Sequence, residues 1–170
     1  MRVYKAGLTK GGGAEDPVAA IALGSNMTSR FGDREGNLGE AIRRLGELGQ
    51  VVAVSGFHDT APVGTVAQPR FLNGAVLLRT ELGPVELMRG LLGVESGMGR
   101  VREPGVVKGP RVIDLDLLLY GDQVVSSAEL TLPHPAMHER RFVLEPLGEI
   151  ASAMVHPVLG ETVEEMLKRV

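Results

Sequence analysis

The 170-residue chain has no cysteine and no tryptophan, and only two tyrosines and four phenylalanines. Without cysteine there is no disulfide framework, no thiolate metal site and no thiol nucleophile, and the plain reading of compartment is the cytoplasm. No apolar run approaches the ~20 residues of a membrane span. Residues 1–17 lack the apolar centre of a signal peptide. An excess of positive charge is missing too: 18 Lys and Arg against 21 Asp and Glu leave a net charge of −3. Bulk attraction to nucleic acid is therefore not expected.

What is present suits one globular domain. Apolar residues make up 44% of the chain and charged residues 23%, both ordinary values for a soluble fold. Residues 1–17 carry Gly11-Gly12-Gly13 and little pattern, so they read as a flexible extension before a domain covering 18–170.

Val18-Ala-Ala-Ile-Ala-Leu23 is a short apolar run stopped by Gly24, the length of a buried strand. Leu38, Ala41, Ile42, Leu45 and Leu48 recur at helical spacing, so an amphipathic helix is expected from about Asp33 to Leu48. Its cap is either Asp33 or Asn37 with Glu40. Val51 to Phe57 reads as a strand, His58 to Arg70 as a long loop, and Phe71 to Thr80 as a second strand. Pro84 opens a helix that reaches about Glu95. The loop 100–108 leads to a strand containing Asp114, then a turn and a short strand from Gln123 to Val125. A helical stretch from about Met137 to Ile150, interrupted near Pro146, and a final helix capped by Thr162 and Glu165 complete the chain. The order β-α-β-β-α-β with a helical C-terminus predicts an α+β, ferredoxin-like fold: an antiparallel sheet with helices on one face.

The segment Lys108-Gly-Pro-Arg-Val-Ile-Asp-Leu-Asp-Leu-Leu-Leu-Tyr120 carries the strongest chemical signal. Strand periodicity puts Asp114, Asp116 and Leu118 on one face, and Ile113, Leu115, Leu117 and Leu119 on the other. Two adjacent carboxylates repel unless a positive charge lies between them. A hard divalent cation such as Mg²⁺ takes oxygen ligands and would serve. Arg100, Arg102, Lys108 and Arg111 gather on the preceding loop, and arginine is suited to clamping phosphate. His134 and His138, four residues apart, have no third ligand type beside them, so a turn histidine and a surface histidine are expected rather than a zinc pair. Phe71 and Phe142 can frame a flat heterocycle, and Asn73 shares a strand face with Phe71. No Gly-x-x-x-x-Gly-Lys-Ser/Thr sequence occurs, which disfavours a P-loop kinase.

Ala22-Leu-Gly-Ser-Asn26, Thr60-Ala-Pro-Val-Gly64, Phe71-Leu-Asn73, Glu95 with Gly99-Arg-Val-Arg102, Gly109-Pro-Arg-Val-Ile-Asp-Leu-Asp116 and Leu132-Pro-His134 through Arg140-Arg-Phe142 occur in order. Together they resemble the 6-hydroxymethyl-7,8-dihydropterin pyrophosphokinases of folate synthesis. The resemblance implies a ferredoxin-like fold and transfer of pyrophosphate from MgATP to the pterin hydroxymethyl group, releasing AMP. It implies two Mg²⁺ ions on Asp114 and Asp116, and catalytic contacts from Arg100, Arg102 and Arg111. Glu95, Lys108, Thr131, His134 and Arg140 join these arginines on ATP. Thr60, Ala61, Val63, Phe71, Asn73 and Phe142 fall at pterin positions, with the two phenylalanines sandwiching the ring. Lys108 follows Val107 where the family often carries an Arg-Trp pair. The expected partners are the two small molecules, with no nucleic acid and no membrane, and the expected state is a cytoplasmic monomer. Two rivals share the acid pair or the basic loop: a metal-dependent nucleotidyltransferase and a non-catalytic nucleotide-sensing module.

Overall fold

A computed structural model describes residues 16–64, 67–100 and 110–170. Arg102, Lys108 and residues 1–15 of the expected extension lie outside the described residues. Pro17, placed in that extension by its sequence, is joined to the sheet: its carbonyl accepts a hydrogen bond from the amide of Thr80.

The main sheet is antiparallel throughout. Strand β1 (Val18–Ser25) lies at its centre, between β4 (Phe71–Arg79) and β5 (Asp114–Tyr120). On its far side β4 pairs with β2 (Gln50–Val54) and, nearer the N-terminal end of β4, with β3 (His58–Thr60). The expected loop from His58 therefore begins as a strand, because β4 is long enough to pair with two partners in succession. Strands β6 (Val125–Ser126) and β7 (Thr131–Leu132) form a separate two-stranded ribbon, so the strand expected at Gln123 starts later and does not join the main sheet.

Helices cover both faces of the sheet, not one. Helices α1 (Arg34–Leu45) and α2 (Pro84–Gly97) pack on one face, where Leu38, Leu45, Leu87 and Leu91 meet Ala19, Ile21 and Leu23. Helices α3 (Arg141–Ala151) and α4 (Val163–Arg169) pack on the other, where Val143, Leu144, Leu147, Ile150 and Met166 meet Ala20, Ala75 and Leu77. The physical cause lies in β1, whose apolar residues alternate between both faces and leave neither one suited to water. A single layer of helices would leave Ala20 and Leu77 wet.

Local signals decide the ends. The Asp33 side chain, not that of Asn37, caps α1 by accepting from the amide of Gly36 at 2.9 Å. Thr162 caps α4 by accepting from the amide of Glu165. A 3-10 turn at Met137–Glu139 precedes α3, and Pro146 sits inside α3 without ending it. Proline there removes the N–H that would have met the carbonyl of Phe142, a local cost offset by burial of Pro146 with its helical neighbours Leu144 and Leu147. A register shift between Ala20 and Ile21 against β5 breaks the alternation at its end. Leu119 consequently joins Leu118 in the α3 core instead of following Leu115 and Leu117.

Candidate active site

The site begins with small residues on β1. On the face toward α3 this strand presents Ala20, Ala22 and Gly24, and their size leaves a trough where larger side chains would fill the space. Gly24 is paired with Asn73 on one side and Asp114 on the other, and Ala22 with Asp116. A Cβ on Gly24 would sit 3.1 Å from Oδ1 of Asn73. The trough opens into a cavity lined by Ala22, Gly24, Thr60, Ala61, Val63, Gln68, Phe71, Asn73, Arg111, Asp114, Asp116, Arg140, Phe142 and Val143, among others. Strands bring the carboxylates, Phe71 and Asn73; the start of α3 brings Arg140, Phe142 and Val143; the segment after β3 brings Ala61 and Val63.

Charge is divided unequally between the two acids. Asp114 is held by arginines on both oxygens: Arg100 at 2.7 Å on Oδ1 and Arg111 at 3.2 Å on Oδ2. Arg100 is in turn bound by the buried carboxylate of Glu95, which also accepts from the amide of Leu115 at 3.0 Å. Glu95 is 2% exposed, and it anchors Arg100 and β5 from behind the cavity wall. Asp116 is pushed up from 3.8 to about 6, first by burial and then by the negative charges of Asp114 and Glu95. The charges of Arg140 and Arg100 pull it back only in part. The site therefore holds an excess of negative charge at Asp116 that a cation would relieve. Among the described residues no group of three or more His, Cys, Asp and Glu side chains is placed to hold a metal ion. A donor set of two carboxylates fits a hard cation such as Mg²⁺, which keeps several waters and takes further oxygens from phosphate.

Both aromatic walls carry an arginine. The guanidinium of Arg111 lies 5.6 Å from the ring centre of Phe71, and that of Arg140 lies 5.8 Å from the ring centre of Phe142. Asn73 donates its amide to the Thr60 hydroxyl across the β3–β4 pairing. Its rotamer is thereby fixed, and its carbonyl oxygen is directed toward Gly24.

Other residues singled out in the sequence lie outside the cavity lining. Thr131 is exposed on β7. His134 is partly buried; its Nδ1 accepts from the amide of Ala136 at 3.1 Å, which makes it the turn histidine expected. Burial, followed by the charge of Arg140, lowers its pKa and favours the neutral ring. His138 is not on the surface as expected: it is partly buried, packs edge-on against His156 at 6.0 Å and leaves its Nδ1 buried without a partner. The sequence reading missed Ala22, Gly24, Gln68 and Val143 as lining residues, and missed Asn26, whose bonds tie two walls together. The signal for the first two was the small residues Ala20, Ala22 and Gly24 at alternate positions of one strand. It was legible as a strand, a turn and one motif of the family resemblance, none of which assigned these residues to a cavity wall.

Fold and site together define an α+β protein whose cavity gathers an acidic pair, arginines and two phenylalanines. The family model for 7,8-dihydro-6-hydroxymethylpterin-pyrophosphokinase matches residues 20–152. A 2-amino-4-hydroxy-6-hydroxymethyldihydropteridine pyrophosphokinase from Methylorubrum extorquens is 44% identical over 153 residues, covering 89% of this chain and 92% of its own. The folic acid synthesis protein fol1 of Schizosaccharomyces pombe is 36% identical over 157 residues, and there the match covers 91% of this chain but only 21% of the relative. The crystal structure of Plasmodium falciparum HPPK-DHPS with pteroate superposes with a TM-score of 0.70 at 14% identity, over 91% of this chain and 44% of that one. At that identity it speaks for the ferredoxin-like fold alone. The chain belongs to the 7,8-dihydro-6-hydroxymethylpterin-pyrophosphokinase family. It spans nearly the whole of the bacterial relative and a minor part of the longer fungal and parasite proteins.

Proposed function

We propose that this chain transfers the terminal pyrophosphoryl group of ATP to the hydroxymethyl oxygen of 6-hydroxymethyl-7,8-dihydropterin within the cavity between β1, β4, β5 and α3. The observation that carries this is the convergence of Asp114, Asp116, Arg111 and Arg140 with Phe71, Asn73 and Phe142 on one cavity. The hydroxymethyl oxygen forms a bond to the β-phosphorus of ATP, the bond from that phosphorus to the bridging α–β oxygen breaks, and AMP leaves. The hydroxyl proton is lost as the new O–P bond forms.

Asp114 and Asp116 would hold magnesium, two ions in this reading. When bound, it neutralises the phosphate charge that otherwise repels the incoming oxygen. Arg111 and Arg100 stabilise charge on the transferring group, and Glu95 keeps Arg100 in place. Arg140 stands between the phosphates and the pterin wall. Phe71 and Phe142 hold the ring, Thr60, Ala61 and Val63 close its edge, and Asn73 reads that edge by its amide. Arg102, Lys108, Thr131 and His134 complete the ATP contacts. Residues 18–170 form the catalytic domain, and the enzyme works as a cytoplasmic monomer on two small molecules.

The deciding assay incubates the chain with ATP, Mg²⁺ and reduced pterin and identifies the nucleotide released. AMP that depends on both Mg²⁺ and pterin is expected. Release of pyrophosphate would instead indicate nucleotidyl transfer, and binding without any release would indicate a sensor. Either result overturns the assignment.

A further inference from the structure

We propose that Asn26 is a positioning residue that couples the ATP half of the site to the pterin half, an inference that rests on the function proposed above. Asn26 follows the end of β1 and is 3% exposed, so each of its polar atoms needs a partner within the protein. Its bonds run in two directions. Toward the arginine side, its Oδ1 accepts from the backbone amide of Arg111 at 2.8 Å, and its backbone N–H donates to the carbonyl of Arg111 at 3.2 Å. These two bonds extend the β1–β5 ladder past the Gly24–Asp114 pair and fix the main chain of Arg111 three residues before Asp114. Toward the aromatic side, its Nδ2 donates to Oε1 of Gln68 at 2.9 Å and to the carbonyl of Pro69 at 3.2 Å. Gln68 lines the cavity, and Pro69 stands two residues before Phe71.

One side chain thus joins a segment that meets phosphate to a segment that shapes the ring slot. The turn that presents it is itself rigid. Asn37 on α1, fully buried, donates to the Ser25 hydroxyl at 3.1 Å and to the carbonyl of Met27 at 2.7 Å. The chemistry requires an amide. One acceptor must face a backbone N–H while two donor hydrogens face two oxygens. A carboxylate of the same shape keeps the bond to Arg111 but turns a charged acceptor toward the oxygens of Gln68 and Pro69. When ATP fixes Arg111, the wall from Gln68 to Phe71 is fixed with it, so each ligand favours the state the other binds.

The test measures pterin affinity by calorimetry, with and without Mg²⁺ and an ATP analogue bearing a methylene bridge between the α and β phosphorus atoms. Wild-type protein should bind pterin at least about fivefold more tightly with the analogue present, the lower end of ordinary coupling. Asn26→Asp should bring that ratio close to one and raise the KM for pterin about tenfold, the cost of about one buried hydrogen bond, with a smaller change in kcat. Should Asn26→Asp fail to fold, Gln68→Ala removes one of the two bonds on the aromatic side and should lower the same ratio. A purely structural role would reduce the active fraction, lowering kcat while leaving KM and the ratio unchanged, and that result overturns the proposal. A wild-type ratio of one overturns the coupling alone. A wild-type chain that binds no pterin overturns the proposed function, and the coupling with it.

Discussion

The two faces of the sheet are built from the same strands but to different ends. Toward α1 and α2, β1 presents Ala19, Ile21 and Leu23 to a closed layer of leucines from both helices. Toward α3, the same strand presents Ala20, Ala22 and Gly24; the far part is sealed by Leu118, Leu144 and Leu147, and the near part is open as the cavity. One strand thereby supplies stability with its odd residues and vacant space with its even ones. Activity and stability should therefore be separable by substitutions only one residue apart in the chain.

The sharpest break is expected at Asp116. Asp116→Asn should lower turnover by about a thousandfold or more, because it removes the charge proposed to hold the cation. The fold should meanwhile gain stability in the absence of metal. The folded-state pKa of about 6 lies above the ordinary 3.8, so the ionised group is a cost to the native state. That cost is fully present above about pH 6 and vanishes as the pH falls to about 4. Thermal melts in chelator should show the variant melting higher than wild type at pH 8, with the advantage gone near pH 4. Retained Mg²⁺-dependent activity in Asp116→Asn, or in Asp116→Ala, would end the metal assignment.

On the closed face, Leu45→Ala should cost about 2–5 kcal/mol of stability, since Leu45 is fully buried in the α1 layer. The KM values of the surviving protein should stay within twofold of wild type. Denaturant unfolding beside steady-state kinetics checks both halves. A changed KM for pterin would show that the two faces are not independent.

On the open face, Phe142→Ala should weaken pterin binding about tenfold while altering ATP binding far less. Equal losses for both ligands, measured by separate titrations, would count against a ring-stacking role. The mildest change is Gly24→Ala. The added Cβ would press on Asn73 Oδ1 at 3.1 Å and lie 3.8 Å from the Phe71 ring. A rise of a few-fold in the KM for pterin, with an unchanged melting temperature, is expected. An unchanged KM would mean that the slot has room to spare beside β1.

Periodicity found β1, β2, β4, β5 and the helices but not the short β3 and β7, because apolar spacing reports which side of an element is covered only over several residues. Local pattern found Thr162 as a cap and offered Asp33 as one of two for α1, since capping is settled by side chains within one turn. It did not show that both faces are covered, although β1 carried the clue in its unbroken apolar run. Nor did it anticipate Leu119, since a register shift between strands is invisible to the alternation of either one alone. Glu95 was expected among the ATP contacts; the structure buries it against Arg100 and the amide of Leu115.

By itself, then, the sequence determined the acid pair on one strand face, the arginines around it, the element order and the family to which these motifs belong. All of these depend on residue type and local spacing. The tertiary structure alone decided that helices lie on both sides of the sheet, that small residues of β1 leave a cavity, and that Asn26 joins segments 42 and 85 residues away. Those facts depend on contacts between residues distant in the chain, and no local pattern encodes which distant partners will meet.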